Sequence, residues 1–257
     1  MVFFRTEDGI VVPAVTAQQM REVDRIAVEE FGLGILQMME NAGRNLALNV
    51  MDMLDSAGAC PELVLSGVEG RSRRGEVTVL AGTGGNGGGG LCCARHLHNR
   101  GFKVWVVLDR DPSMLRGAAA NQLNILQAAG LQPADPTRAS ELMRRSQIVV
   151  DALIGYSLRG ASQGKTAELI DLCNRYAARV LSLDVPSGLD ATTGATPGLV
   201  VCPERTLTLA LPKTGLTSVE GELYLADIAI PPEVYRRLGL SFELPFEKCY
   251  WIRLVVR

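Results

Sequence analysis

A run rich in glycine constrains this chain more than any other stretch of its sequence. Seven of the nine residues from Gly82 to Gly90 are glycine. An apolar segment that ends at Ala81 precedes the run and predicts a buried parallel strand, and the LCCARHL segment after it has the apolar spacing of a helix. Strand, glycine turn and helix predict a site where backbone N–H groups meet an anion, with glycine supplying positive φ angles and room for the ligand.

The glycine run alone leaves two interpretations open. Gly82, Gly84 and Gly87 satisfy the dinucleotide-binding pattern G-x-G-x-x-G, and Asp109 ends the next predicted strand, where a ribose-binding acid is expected. This pattern predicts a nicotinamide-dependent dehydrogenase. A tight strand-to-helix turn that holds no ligand accounts for the same glycines.

Composition and charge exclude several classes of protein. A net charge of -2 and a pI near 5.8 argue against a dedicated nucleic-acid binder. The six cysteines show no C-x-x-C spacing, and no histidine is expected at ligand distance from them, so we expect neither a disulfide framework nor a zinc site. Without a signal peptide or a bilayer-spanning apolar stretch, the chain is expected to be a soluble protein of the reducing cytoplasm.

The apolar periodicity predicts strands that alternate with helices. A capping-box pattern at Thr16 and Gln19 opens a helix over 16–31, and a second apolar helix covers 35–54. Further strands are expected at 76–81, 103–108, 147–151, 179–184, 205–211 and, as an edge strand, 221–227; further helices are expected at 91–100, 113–129, 140–145, 165–178 and 231–238. This order predicts a three-layer α/β/α Rossmann-like fold with a mostly parallel central sheet.

The sequence shows one folded domain and a tail. Residues 1–240 form the predicted domain, which includes a long connection at 56–75 without apolar periodicity. The tail at 241–257 is apolar and aromatic but fits no obvious place in the predicted sheet. It covers a sheet edge or contacts another subunit; the sequence does not distinguish these roles.

Polar side chains gather at three predicted strand ends. Asn86 lies in the glycine run, Asp151 ends one buried strand, and Asp184 ends another with Ser187 close behind. Ligands of open α/β sheets bind at the carboxyl ends of the strands, and a buried carboxylate there needs a cation or a hydrogen-bonded partner. Asn86, Asp151 and Ser187 therefore resemble ligands of a hard monovalent or divalent cation. A helix-capping or turn-stabilising role is the alternative for each carboxylate.

These residues carry a family resemblance. The segments TAQQMREVD, MENAG, GTGGNGGGG, DALIGYSLRG, LDVPSGLD, LPKTGL and GELYLADIAIP stand in the order found in the NAD(P)H-hydrate epimerase family, also called the YjeF N-terminal domain. The chain is identified as a member of that family. A dehydrogenase has no need of MENAG or DVPSGLD, and the sequence places no candidate histidine acid or base after the middle of the fold.

The resemblance implies a metabolite-repair isomerase. Nicotinamide cofactors hydrate to R and S forms, and the family interconverts the two forms of NADHX and NADPHX. A separate NAD(P)H-hydrate dehydratase, implied as the functional partner, removes water from the S form only. The resemblance also implies a homodimer and a potassium ion, and neither nucleic acid nor membrane is an expected partner.

The family's functional positions carry over to particular residues. The potassium ligands fall on Asn86, Asp151 and Ser187. Asp184 is a substrate contact, and we choose it as general acid/base because a carboxylic acid can protonate the leaving oxygen. The remaining implied substrate contacts are Gly85, Asn86, Gly87, Gly88 and Gly89, together with Gly155, Tyr156, Ser157, Leu158, Arg159, Gly160 and Ala161.

The glycine run departs from the family pattern. The family loop usually reads GPGNNGGDG, so Gly85 replaces an asparagine and Gly89 replaces an aspartate. Two lost side chains remove hydrogen bonds worth about 0.5–1.5 kcal/mol each. An active epimerase with altered affinity is one hypothesis, and a catalytically degenerate nucleotide-binding or scaffold protein is the other. The role of Lys213, in the LPKTGL segment, is left open between a phosphate contact and a strand cap.

Overall fold

A nine-stranded sheet organises the part of the chain that the computed structural model describes, residues 2–56 and 74–255. Most of the connection predicted at 56–75 lies outside the described residues. The strands are β1 Phe3–Thr6, β2 Val11–Pro13, β3 Arg74–Ala81, β4 Phe102–Leu108, β5 Ile148–Ala152, β6 Val180–Leu183, β7 Arg205–Leu209, β8 Glu222–Ala226 and β9 Trp251–Val255. The α-helices are α1 Ala17–Arg25, α2 Ile35–Ser56, α3 Gly85–His98, α4 Gly117–Ala128, α5 Ala139–Arg145, α6 Gly164–Tyr176 and α7 Pro232–Arg237.

The sheet is parallel through its centre. Its strand order is β2-β1-β9-β8-β7-β6-β5-β3-β4, and every pairing from β8 to β4 is parallel. Helices α2, α3 and α4 bury their apolar faces in one core, and α5 and α6 contribute to another. Right-handed crossovers between parallel strands place helices on both faces of such a sheet. The predicted three-layer α/β/α fold with a mostly parallel sheet is confirmed.

Helix α3 begins earlier than the sequence predicted. The glycine run was expected to form a turn with positive φ angles, followed by a helix from residue 91, but α3 starts at Gly85. The glycines from 82 to 90 are all described, and none of them has a positive φ. A Cβ on Gly87 would lie 1.8 Å from the carbonyl oxygen of Gly82, and one on Gly90 would lie 2.6 Å from the Cβ of Ala152. These glycines therefore allow the helix to approach the sheet closely.

Both ends of the described chain join one side of the sheet. Strands β1 and β2 form an antiparallel hairpin, and β9 inserts between β8 and β1. The strand predicted at the sheet edge, β8, is therefore internal, because β9, which lies in the predicted tail at 241–257, pairs with it. The antiparallel hydrogen bonds of β9 link segments far apart in sequence, and local periodicity does not report such pairings.

The first two helices support the cavity described below. The predicted capping box is present, with the Thr16 side chain and the Gln19 side chain each accepting a hydrogen bond from the backbone of the other residue. Helix α1 continues into a π-helical turn at Ile26–Glu30. In α2, a Cβ on Gly43 would lie 2.4 Å from the Cβ of Cys92, so close packing against α3 explains this glycine.

Within residues 2–56 and 74–255, no helix combines the length and the hydropathy needed to cross a lipid bilayer.

Two glycines of the same helix allow a matched test of close packing. We expect Gly87→Ala to lower the free energy of unfolding by about 1–3 kcal/mol, because the added methyl group meets backbone atoms of Gly82 that cannot rotate away. Gly85→Ala is the control, since a Cβ there has no atom within 4 Å and alanine favours the helix. Urea unfolding of the two variants measures the difference. Equal unfolding midpoints would contradict close packing as the reason for the glycine.

Candidate functional site

A cavity of about 690 Å³ opens at the carboxyl ends of the parallel strands. Helix α1, the first half of α2 and the first turns of α3 form its outer walls, and the segments after β5, β6 and β7 form its inner end. Binding sites for small molecules commonly have volumes of about 300–1,000 Å³. The cavity thus lies where an open α/β sheet places its ligand.

A buried ion pair stands at the inner end of the cavity. Asp184 follows β6 and is 3% exposed, and Lys213 is 1% exposed. The Lys213 Nζ contacts Asp184 Oδ1 and donates a second hydrogen bond to the carbonyl oxygen of Leu209 at 2.8 Å. Asp184 Oδ2 accepts a hydrogen bond from the backbone N–H of Tyr156 at 3.0 Å. Both charges are therefore paired, and both residues line the cavity.

Unusual backbone angles aim this pair into the cavity. Asp184 has a φ of 69° and Ala210 has a φ of 63°, and each directly follows the last residue of a parallel strand, β6 or β7. For residues other than glycine, left-handed angles cost about 1–2 kcal/mol, and such strain concentrates at functional sites. The two turns send the chain out of the sheet at adjacent strands. This brings the carboxylate after β6 and the lysine after β7 together.

A second carboxylate lines the same cavity from α1. Asp24 accepts a hydrogen bond from the phenolic hydroxyl of Tyr156, whose backbone N–H contacts Asp184. Burial raises the pKa of Asp24, and the Tyr156 hydrogen bond opposes that rise. Burial and the nearby charge of Asp24 also raise the pKa of Tyr156, so the phenol stays protonated. Tyr156 thus connects the wall formed by α1 to the ion pair.

A cluster of oxygen atoms surrounds Asp151 behind the cavity. Asp151 is fully buried in β5, and it accepts hydrogen bonds from Ser182 Oγ at 2.8 Å and from the backbone N–H of Ser187 at 2.9 Å. The Ser187 hydroxyl also donates to this carboxylate and accepts from the backbone N–H of Ile154 at 2.8 Å. Burial raises the pKa of Asp151, although these donors lower it. Its recorded hydrogen bonds come from hydroxyl and amide donors.

The three predicted cation ligands carry oxygen atoms that suit a hard cation. Asp151, Ser187 and Asn86 offer carboxylate, hydroxyl and amide oxygens, which are the ligands that cations such as potassium accept. Asn86 has a buried amide nitrogen without a hydrogen-bond partner among the described residues, and its Oδ1 faces Gly155 beside the Asp184 carboxylate. Among the described residues Asp151 has no basic partner, and such a buried carboxylate fits an additional positive charge at this place. The unpartnered Asn86 amide nitrogen is a donor, so it fits an acceptor rather than a cation, and the ligand atom of Asn86 is its Oδ1.

The structure brings part of the predicted substrate-binding set to the cavity. The cavity lining includes Gly85, Asn86, Gly89, Gly155, Tyr156, Ser157 and Asp184. Gly87 and Gly88 pack instead against Gly82 and Met39. Leu158, Arg159, Gly160 and Ala161 continue the loop outward, where the last three are exposed.

Sequence reasoning missed two features of the site. Lys213 was noticed without a role, because its partner Asp184 lies 29 residues earlier and on another strand end. Asp24 was not selected, although it follows the buried Met20 by one helical turn and therefore continues the inward face of α1. The helical spacing was the available indication for Asp24.

Comparisons with known proteins agree on one family. A family profile described as "YjeF-related protein N-terminus" matches residues 35–215. A protein of Dehalogenimonas lykanthroporepellens named NAD(P)H-hydrate epimerase is 49% identical over 98% of this chain and 96% of its own. A Rhodopirellula baltica protein of the same name is 33% identical over 89% of each chain. A bifunctional NAD(P)H-hydrate repair enzyme of Moorella thermoacetica is 35% identical over 86% of this chain and 41% of its own.

A solved structure shares the fold. The crystal structure of the yeast protein YNL200c superposes with a TM-score of 0.77, covering 94% of this chain and all of the yeast chain at 22% identity. At that identity the likeness establishes the fold and nothing about the chemistry.

The contact between Tyr156 and Asp24 generates a titration prediction. We expect Tyr156→Phe to raise the pKa of Asp24 further, because it removes the hydrogen bond that opposes desolvation. Carbon-13 NMR of the side-chain carboxyls measures the shift, with Asp24→Asn identifying the resonance. Tyr176→Phe is the control, since the Tyr176 ring packs under Arg144 on the far helices. An unchanged Asp24 titration in Tyr156→Phe would show that the hydroxyl contact is absent in solution.

Proposed function

Because the chain belongs to the family of YjeF-related N-terminal domains, we propose that it is an NAD(P)H-hydrate epimerase. This isomerase interconverts the R and S forms of NADHX and NADPHX. The relatives that match nearly their whole length to this chain carry that name. The observation that carries the proposal is the buried pair of Asp184 and Lys213 at the end of a cavity that fits a nucleotide.

The pair of Asp184 and Lys213 supplies the proton that epimerisation needs. The hydrated carbon of the ring carries a hydroxyl group and is bonded to the ring nitrogen. When the C–O bond breaks, its electrons stay on oxygen, the nitrogen lone pair forms a C=N bond, and a proton converts the leaving oxygen to water. Water then adds to the other face of the ring and returns the proton. We propose Asp184 as the acid/base: the ion pair carries one proton, which starts on the Lys213 ammonium, passes through the Asp184 carboxyl to the leaving oxygen and returns by the same route. Lys213 also holds the carboxylate in place.

The N-terminus of α3 is our proposed contact for the substrate phosphates. Helix α3 is 14 residues long, and its N-cap residue, Gly84, has no side chain that could cap the first N–H groups. Its first N–H groups therefore remain for an anion at the positive end of the helix dipole. Gly85 and Asn86 of this turn line the cavity, and Arg21 lines it from α1. A dinucleotide that spans the cavity brings its negative charge near both groups.

Asn86, Asp151 and Ser187 are our proposed ligands for a potassium ion. Once bound, the ion supplies a positive charge that compensates the buried carboxylate of Asp151. The protein's part is positional: Ser187 follows Asp184 by three residues, and Asn86 lies in the first turn of α3. Fixing these side chains fixes the strand-end segments that carry Asp184 and Gly155.

The altered glycine run changes the affinity for substrate and leaves the proposed acid/base, Asp184, in place. Gly85 and Gly89 line the cavity without side chains, so the hydrogen bonds of the usual asparagine and aspartate are absent here. Asp184, Lys213 and Asn86 remain in place. A nucleotide-binding or scaffold role without catalysis is the alternative, and the activity assay below distinguishes the two.

The chemistry of the product implies a partner enzyme. Epimerisation alone repairs nothing, so a stereospecific dehydratase must consume one of the two forms. Some relatives are named bifunctional repair enzymes, and for this chain we propose a separate NAD(P)H-hydrate dehydratase. The homodimer and the cytoplasmic location stay predictions.

Replacement of Asp184 tests the catalytic assignment. We expect the purified protein to equilibrate separated R and S hydrates, and Asp184→Asn to lower kcat by about 10²–10⁴-fold, because the proton carrier is lost. Chromatographic separation of the two forms over time measures the rate. Asp135→Asn is the control, since Asp135 caps an exposed turn. If the wild type fails with potassium present, or if Asp184→Asn matches it, the proposal is wrong.

A potassium-dependent shift in stability tests the ion site separately from activity. At a potassium concentration ten times its Kd, we expect an added stability of about 1.4 kcal/mol, seen as a higher Tm than in tetramethylammonium chloride at equal ionic strength. Ser187→Ala should lose most of this increment. Ser146→Ala is the control, because Ser146 is also buried but bonds to Thr78 and Leu142. An increment unchanged in Ser187→Ala would contradict the ligand assignment.

A further inference from the structure

We propose that Glu40, Cys92 and His96 form a binding site for a divalent transition metal of the zinc class, between α2 and α3. The three side chains lie close together, with one ligand atom of each within 4.8 Å of the others. This site is separate from the proposed potassium ligands, and it shares no residue with the cavity lining. The proposal therefore stands whether or not the epimerase assignment is correct.

The ligand spacing follows from helical geometry. Cys92 and His96 are four residues apart on α3, so both side chains lie on one face of that helix. Glu40 approaches from α2, with Oε1 2.8 Å from His96 Nε2 and Oε2 3.3 Å from Cys92 Sγ. Distances between ligand atoms in a tetrahedral zinc site are about 3–4 Å, given metal–ligand bonds of about 2.0–2.3 Å. The three atoms need only small displacements to surround an ion.

The structure thereby corrects an expectation from the sequence. The sequence analysis expects no histidine at ligand distance from a cysteine. The i to i+4 spacing of Cys92 and His96 provides such a partner on a helix, and Glu40 completes the set from a distant segment. The third ligand could not be paired from the sequence, since it depends on the packing of α2 against α3.

The chemistry of the donor set selects the class of metal. Thiolate, imidazole and carboxylate together favour zinc and its neighbours, whereas magnesium and calcium prefer oxygen ligands alone. Three protein ligands leave a fourth position for water, and the Glu40 side chain is 44% exposed, so an ion can enter from solvent. Cys92 is fully buried, so its sulfur is shielded from solvent by the packing of α2 against α3.

The protonation states set the proton balance of binding. Burial lowers the pKa of His96, which leaves the neutral imidazole that coordinates metals. Burial and the charge of Glu40 raise the pKa of the Cys92 thiol to about 12, so the thiol is protonated without metal. Coordination by sulfur therefore releases one proton to solvent for each ion bound.

Arg95 is the competing partner within the cluster. Its Nη2 contacts Glu40 Oε2 and lies 3.4 Å from Cys92 Sγ. If the metal takes Glu40 through Oε1, Arg95 keeps its hydrogen bond to Oε2 and orients the carboxylate from outside. The alternative is an ion-pair cluster of Glu40, Arg95 and His96 that binds no metal.

A metal at this place would link two helices that build the cavity. Met39, the neighbour of Glu40, lines the cavity from α2, and α3 begins at the cavity with Gly85. The ion would hold the two helices together on the side away from the substrate. Its main effect is therefore on stability rather than on the chemical step.

Cobalt(II) binding tests the proposal on the full chain after chelator treatment. We expect one Co²⁺ per chain with a thiolate-to-cobalt charge-transfer band. His96→Gln should weaken binding by about tenfold or more, since it removes a ligand. His98→Gln, two residues along on the exposed side of α3, is the matched control and should bind as the wild type does. Equal affinities for the two variants, or no binding by the wild type, would overturn the proposal.

The sulfur ligand needs a second comparison because the chain has other cysteines. We expect Cys92→Ser to lose the charge-transfer band and Cys249→Ser, at an exposed cysteine, to keep it. Circular dichroism confirms that each variant is folded. Retention of the band in Cys92→Ser would assign the sulfur elsewhere and overturn the site. Zinc should also raise the Tm of His98→Gln but not that of His96→Gln.

Discussion

The close approach of one helix to the sheet is the constraint on which the rest of this structure depends. Helix α3 can lie against the ends of β3 and β5 only because Gly87 and Gly90, which face them, have no side chains. Larger residues at Gly87 or Gly90 would push the helix away by more than a packed core tolerates. Its position in turn places Asn86 beside Gly155 and lets α2 pack on its outer face. The cavity exists because these elements meet there.

Asp151 in β5 and Asp184 directly after β6 are buried carboxylates whose negative charges are stabilised in two different ways. Asp184 is paired with a lysine, and this arrangement leaves its proton chemistry available to a ligand in the cavity. Asp151 is surrounded by hydroxyl and amide donors instead. Removing a charge from water costs several kcal/mol unless partners compensate it. The pair with Lys213 meets that cost within the chain, and the cluster at Asp151 meets it with neutral N–H and O–H donors.

Most of the fold could be predicted because its patterns are local. Alternating apolar residues mark buried strands, and helical spacing marks the helices between them. The alternation of strands and helices along the chain and the mostly parallel sheet were therefore predicted correctly. The start of α3 was wrong because glycine carries no periodic pattern, and packing against Gly82 decided it. At the site, Asp151 and Asp184 were identifiable as strand-end carboxylates. Ser187 was grouped correctly with Asp151. The partner of Asp184 was not identifiable, since the contact of Lys213 with Asp184 depends on two turns that sequence spacing does not encode.

The pairing of β1 with β9 orders the events of synthesis on the ribosome. Strand β1 precedes the other described strands in the sequence, yet its neighbour toward the sheet is the strand at Trp251–Val255. The hairpin of β1 and β2 can therefore pair with the rest of the sheet only after β9, near the end of the described chain, has been translated. Such long-range pairing is slow to form and leaves an open strand edge exposed to other chains in the meantime.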